Sequence, residues 1–226
     1  MNFGQRNIAI DTELQNISRF FLAGVTEAKK ITSSYDFYHA PFIFFSSGFE
    51  RLLKVCICLN YLKKESKHPE NFNIIFNKSQ GHDLLFLKEK FINDVCKENI
   101  LSNSFKFFKN DDVFNRIILA LSEYAKRGRY FNMDQVFGKQ QEYNVDKEWN
   151  DIEHFVLQKR NGENYLEKYF NKPNQLFFDS NRIIIENIAK GLNYIYNQFE
   201  KGELNDFYIL YSHHLKDLKD IHIIKS

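Results

Sequence analysis

The sequence contains little glycine and less proline, with 9 Gly and 3 Pro among 226 residues. Both residues interrupt helices and mark turns, so their scarcity favours long helices and argues against an all-β fold. Aromatic residues are plentiful by contrast, with 24 Phe and 12 Tyr against one Trp. We therefore predict an all-α protein whose core is built on phenyl rings.

Cysteine is also scarce, and three cysteines cannot form a disulfide framework for a chain of this size. Cys56 and Cys58 are two residues apart, which places them on nearly opposite sides of a helix, where they cannot jointly hold a metal ion. We expect them and Cys96 to be buried thiols. No basic and apolar leader opens the sequence, so we expect a reduced, cytoplasmic protein.

No apolar run is long enough to span a bilayer, which takes roughly 20 residues. The most apolar stretch, 41–49, is interrupted by Ser46, Ser47 and Gly48, and we predict no membrane segment. The 31 basic and 29 acidic side chains nearly cancel, leaving a net charge of +2. A balanced charge gives no global field to steer a polyanion, so any nucleic-acid surface has to be local.

Apolar residues recur at intervals of three and four along much of the chain, which predicts about seven helices. The predicted helices cover about 11–33, 36–64, 81–97, 111–127, 146–159, 179–201 and 204–219. Gly128 and Gly202 are expected to end helices, Gly128 in the left-handed conformation, and Gly162 is expected to end or kink a helix. No linker or repeat divides the chain, so we predict one domain over residues 1–226.

Two segments on neighbouring predicted helices carry a family resemblance. Ser46–Lys54 is a stretch of small residues, Glu and Lys in a long helix, and a loop then leads to Gly81-His82-Asp83-Leu84 at the start of the next helix. This pairing resembles the first two core helices of HEPN domains, over about residues 10–130, with a helical extension at about 145–219. The resemblance implies an up-and-down helical bundle that commonly dimerises. In many members it also implies metal-independent RNA cleavage, in prokaryotic toxin, antiphage and nucleotide-metabolism settings.

The chain departs from the ribonuclease motif of that family, which is an Arg followed after four to six residues by a His. The nearest equivalent has Asn77 before His82, and Asn lacks the permanent cation that would stabilise a developing phosphorane. We therefore expect a non-catalytic or atypical member that binds RNA, a nucleotide or a partner protein in prokaryotic stress or phage defence. The alternatives are a metal-independent ribonuclease toxin, with His82, Arg51 and Arg127 as candidate residues, and a helical interaction protein without a ligand.

Each candidate residue also has a structural interpretation. The His82 imidazole could cap or pack at a helix start next to Asp83, or act as a general acid or base. Glu50 and Arg51 could simply be solvated, or Arg51 and Lys54 could reach a phosphate on the exposed side of their helix.

A second candidate is the basic turn, which we define as Lys126–Arg129. Its three cations could bind a phosphate while Tyr130 or Phe131 stacks on a base. Alternatively, cations beside a glycine at a helix end need no ligand.

A third candidate lies near the end of the sequence. His213 and Asp217 are one helical turn apart and could face a metal ion, with His222 as a further ligand. One terminal helix lacks the distant ligands of a closed site, and a solvated face explains the pattern equally well. We predict no metal and no cofactor.

Overall fold

The computed structural model describes residues 2–221 except 35, 37, 77–79, 97–100, 139–142 and 219. Every regular element in these ranges is helical, which confirms the all-α prediction. The α-helices are α1 Phe3–Lys29, α2 His39–Glu65, α3 Leu84–Asp94, α4 Asn103–Asn110, α5 Asp112–Glu123, α6 Phe131–Val136, α7 Val145–Asn161, α8 Tyr165–Tyr169, α9 Pro173–Glu200 and α10 His213–Lys216. A π-helical turn, Tyr124–Gly128, follows α5, and 3₁₀ turns occur at Phe72–Ile74 and Asp206–Ser212.

The predictions of about seven helices and of a simple up-and-down order are both inexact. Short helices α4 and α6, of eight and six residues, lie outside the predicted ranges. The predicted last helix is a 3₁₀ turn followed by the one-turn helix α10. The packing is branched because α5 contacts α2, α3, α4, α7 and α9.

Two long helices begin earlier than predicted. α1 begins at Phe3 because Asn2 caps it: its Oδ1 accepts from Gln5 N at 2.9 Å, and Gln5 Oε1 accepts from Asn2 N at 3.1 Å. α9 begins at Pro173 and not at about residue 179. Proline suits the first position of a helix, where its missing N–H is not needed.

The pairing of α1 with α2 depends on rings packed against glycines. A Cβ on Gly24 would lie 2.6 Å from the Phe45 ring, and a Cβ on Gly48 would lie 3.0 Å from the Phe21 ring. The helices therefore approach closely in a reciprocal arrangement. Since later residues of α1 contact earlier residues of α2, the pair is antiparallel.

The core is rich in phenyl and other aromatic rings. Phe42 stacks on Tyr124 with centroids 5.1 Å apart and meets Trp149 edge-on at 5.2 Å. Buried apolar residues from α1 to Ile221 form one contiguous cluster.

One carboxyl group is buried within this core. Glu153 on α7 is 2 % exposed, and its Oε1 accepts a hydrogen bond from Ser180 Oγ at 3.2 Å. Burial raises the pKa of Glu153 to about 7, and the bond from Ser180 offsets only part of that effect.

Ring-on-glycine packing predicts that Gly24→Ala destabilises the protein. The added methyl group overlaps the fully buried Phe45 ring, so we expect a loss of about 1–3 kcal/mol in the free energy of unfolding. Gly4→Ala is the matched control on the same helix, because its Cβ would meet only the Asn2 side chain at 3.6 Å. Chemical denaturation measures both, and equal effects of the two substitutions would contradict this packing.

Burial of Glu153 predicts a pH-dependent stability. As pH rises from about 4.5 to about 7 the unfolded chain loses this proton while the native protein keeps it, so stability falls and then levels off above pH 7. Glu153→Gln should remove this component, which amounts to at most about 3 kcal/mol. Urea unfolding across that pH range tests it, with Asp151→Asn on the exposed face of α7 as control. A wild-type pH profile retained by Glu153→Gln would rule out this origin.

Candidate functional site

A buried carboxylate on α2 brings together residues from both main sequence candidates. Glu50 is 8 % exposed. Its Oε1 accepts from Lys54 Nζ at 2.7 Å, and its Oε2 lies 3.0 Å from His82 Nδ1 and 3.2 Å from Arg129 Nη2. We call Glu50, Lys54, His82 and Arg129 the Glu50 site. The interpretation of Glu50 as a solvated residue is therefore wrong.

The partners of Glu50 control its ionisation. Burial alone would raise the pKa of this carboxyl, but hydrogen bonds and charge from Lys54 and His82 outweigh burial and lower it below the ordinary value. Glu50 is therefore ionised at neutral pH. Removing the cations around a buried carboxylate would be costly, so these contacts are also structural.

The sequence contained one signal of the burial of Glu50. Leu53 and Ile57 are apolar and follow Glu50 by three and seven residues, and the small residue Ser46 precedes it by four. All three are buried in the structure. Positions at this spacing share a helix face, so α2 has a second buried face beside its phenyl face.

His82 does not cap α3. Asp83 does so, with Oδ1 accepting from Leu85 N at 3.0 Å and Phe86 N at 3.2 Å. Asp83 Oδ1 also accepts from Ser122 Oγ at 3.1 Å, which ties the start of α3 to α5. His82 lies just outside the helix, half exposed and in contact with Glu50.

The π-helical turn explains how Arg129 reaches α2. The expected left-handed end at Gly128 is wrong, because α5 continues into the π-helical turn and Gly128 does not have a positive φ. A Cβ on Gly128 would lie 2.6 Å from Tyr124 Cδ2 and 2.7 Å from Tyr143 Cε1. Glycine is needed here for close approach of two rings, and the widened turn presents Arg129 to Glu50.

The other cations of the basic turn contact different carboxylates. Lys126 Nζ lies 2.7 Å from Glu123 Oε1 and 3.5 Å from Asp83 Oδ2, and the hydrogen bond with Glu123 raises the pKa of Lys126. Arg127 pairs with Glu123 as well, and its guanidinium lies 5.8 Å from the centroid of the Tyr143 ring. Asp83, the N-cap of α3, therefore links the basic turn to the start of α3.

Tyr130 and Phe131 follow the basic turn and have opposite environments. Tyr130 is 71 % exposed, whereas Phe131 is buried in the core. Of the two rings that the sequence offered for base stacking, only Tyr130 is accessible.

Arg51 lies apart from His82, although both were candidate catalytic residues. Arg51 Nη1 lies 2.7 Å from Glu13 Oε1 on α1, and its guanidinium is 5.2 Å from the centroid of the Phe20 ring. Arg51, Lys54 and Glu50 line one side of a groove of about 500 Å³ between α1 and α2. Arg51 pairs with Glu13, whereas His82 contacts Glu50. The two candidate catalytic residues are therefore not brought together.

The remaining candidates do not form a metal centre among the described residues. Within those ranges no group of three His, Cys, Asp or Glu side chains could hold a metal ion. His213 Nδ1 lies 2.7 Å from the Leu210 carbonyl oxygen, and His222 is outside the described residues.

The three cysteines are free thiols, and the prediction that they are buried is correct for Cys56 and Cys96 but not for Cys58. Cys56 and Cys96 are buried and Cys58 is half-buried. Burial raises the pKa of Cys58 and Cys96 to about 11 and also raises that of Cys56. High thiol pKa values make these groups poor nucleophiles.

No helix in the described ranges combines the length and apolar character needed to cross a bilayer.

Comparison with family models, curated proteins and solved structures gives no match to this chain.

Proposed function

We propose that this protein binds RNA through the backbone phosphates, with Arg129 and His82 of the Glu50 site as the central contacts. One observation carries the proposal: a guanidinium and an imidazole from distant parts of the chain contact the same carboxylate oxygen, Glu50 Oε2. A phosphate oxygen offers the same charge and acceptor chemistry to these donors. The proposal agrees with an atypical HEPN-like protein that lacks the usual Arg and His spacing.

The contact between Arg129 and Glu50 leaves donors available for a phosphate. It is made through a single nitrogen, Nη2, and not through the two-pronged geometry that makes Arg and carboxylate pairs strong. The Arg129 side chain is 32 % exposed, although its Nε is shielded from solvent and has no hydrogen-bond partner among the described residues. A phosphate could therefore contact only the exposed part of this guanidinium, beside the Nη2 atom that Glu50 holds.

Local charge also favours an anionic ligand. The Glu50 site and the basic turn contain four permanent cations, Lys54, Lys126, Arg127 and Arg129. Three carboxylates lie among them, Glu50, Asp83 and Glu123. The local net charge is therefore +1 with His82 neutral, and a protonated His82 adds another. Counterion release from RNA phosphates supplies most of the affinity of such surfaces.

The same geometry favours a second candidate function, metal-independent RNA cleavage. Glu50 holds His82 Nδ1, which leaves Nε2 for proton exchange with a substrate, as in other carboxylate-oriented imidazoles. Arg129 supplies the permanent cation that Asn77 cannot. The side chain of His82 is 55 % exposed.

Fluorescence anisotropy with a short labelled single-stranded RNA, measured over a series of KCl concentrations, tests the proposal. Arg129→Gln should weaken binding about tenfold, and it should reduce the slope of log affinity against log salt by about 0.7 as one phosphate contact is lost. Arg160→Gln is the matched control, because Arg160 makes a similar ion pair with Glu186 at 3.1 Å between α7 and α9.

Equal losses in Arg129→Gln and Arg160→Gln, or no loss in Arg129→Gln, would contradict the proposal. The RNA from each reaction is then analysed on a denaturing gel after incubation with EDTA. Intact RNA is the result expected of a binding protein. A discrete cut that His82→Ala abolishes would establish the second candidate function instead.

A further inference from the structure

An apolar surface with two exposed rings lies directly after the basic turn. Tyr130, Met133, Val136 and Phe137 are each more than half exposed, and they define what we call the α6 surface. Their spacing of three and four places them together along α6. Phe131, on the other side of the helix, is buried in the core and anchors it.

Resting on the proposed function, we infer that the RNA bound here is single-stranded and that its unpaired bases stack on Tyr130 and Phe137. Tyr130 and Phe137 are 71 % and 70 % exposed, so each ring is accessible to a base. They flank the six-residue helix α6, and a helical rise of about 1.5 Å per residue places them roughly 10 Å apart along its axis. That distance accommodates a short run of bases.

Chain connectivity joins this apolar surface to the cations. Arg129, which contacts Glu50, immediately precedes Tyr130, so their Cα atoms are about 3.8 Å apart. Lys126 and Arg127 lie one helical turn earlier. Phosphates at the Glu50 site and basic turn would therefore place the attached bases over α6.

The combination of charge and exposed rings selects the ligand. Single-stranded nucleic acid presents phosphates together with open base faces, and it binds proteins through cationic grooves with aromatic side chains. A duplex keeps its bases stacked within the helix and offers only backbone and groove edges. Rings on α6 would then add affinity for single strands and none for duplexes.

A tryptophan at position 130 reports stacking directly. The only tryptophan of the chain, Trp149, is 1 % exposed, so a Tyr130→Trp variant adds an accessible fluorophore to a protein whose own tryptophan is shielded. Single-stranded RNA should quench the new emission, and duplex RNA of the same sequence should not. Binding seen by anisotropy without any quenching would overturn the inference.

Affinity provides the second readout. Phe137→Ala should lower affinity for single-stranded RNA roughly tenfold and leave duplex binding unchanged. Phe170→Ala, which removes a ring that is 85 % exposed beside α8, should change neither. Equal losses for single strands and duplexes in Phe137→Ala would overturn the inference.

The outcomes separate this inference from the proposed function. If RNA binds in an Arg129-dependent manner but shows no preference for single strands, the stacking inference fails alone. If RNA does not bind, both fail. If Tyr130→Ala and Phe137→Ala leave RNA binding intact but change the molar mass measured by light scattering, the α6 surface is a protein contact and the stacking inference is wrong.

Discussion

Where α1 and α2 run side by side, each helix places a phenyl ring on a glycine of the other. Phe45 covers Gly24 and Phe21 covers Gly48, so neither helix can slide or rotate without driving a ring into backbone. Interiors packed at this density have few alternative arrangements. The register fixed by these contacts brings Arg51 opposite Glu13 and turns Glu50 toward α3 and the π-helical turn. The candidate site therefore depends on the packing of the Phe45 and Phe21 rings against Gly24 and Gly48.

Glu50 then determines how the charged residues are organised. A carboxylate buried to this extent is tolerated only with cations close to it, and Lys54, His82 and Arg129 come from three separate segments to meet it. The same contacts hold α2, the start of α3 and the π-helical turn together. In the proposed function Glu50 has two opposing effects, since it positions Arg129 and His82 and also competes with a phosphate for them. A site of this kind has little excess positive charge in its unliganded form, which agrees with the nearly neutral charge of the whole chain.

Much of the helical structure could be predicted because it depends on local periodicity. The cores of α1, α2, α7 and α9 follow apolar residues at intervals of three and four. Gly162 and Gly202 do end helices, and both have positive φ. Gly128 looks the same in sequence but has another role, because its lack of a side chain is required by two rings, Tyr124 of its own π-helical turn and Tyr143 from the segment before α7. Short helices such as α4 and α6 were missed because eight or six residues contain too few turns to establish a helical repeat.

The candidate residues were identified more readily than their partners. The sequence singled out His82, Arg129 and Glu50 separately, but their meeting is a tertiary contact across 32 and 79 positions of the chain. In the proposed function Glu50 both positions Arg129 and competes with the phosphate, and we expect the competition to be the larger effect. RNA affinity in a double-mutant cycle of Glu50→Gln and Arg129→Gln tests this most directly. Glu50→Gln should tighten RNA binding when Arg129 is present and have a smaller effect when it is absent. Weaker binding by a Glu50→Gln protein that keeps the wild-type circular dichroism, or an equal gain in both backgrounds, would contradict the account.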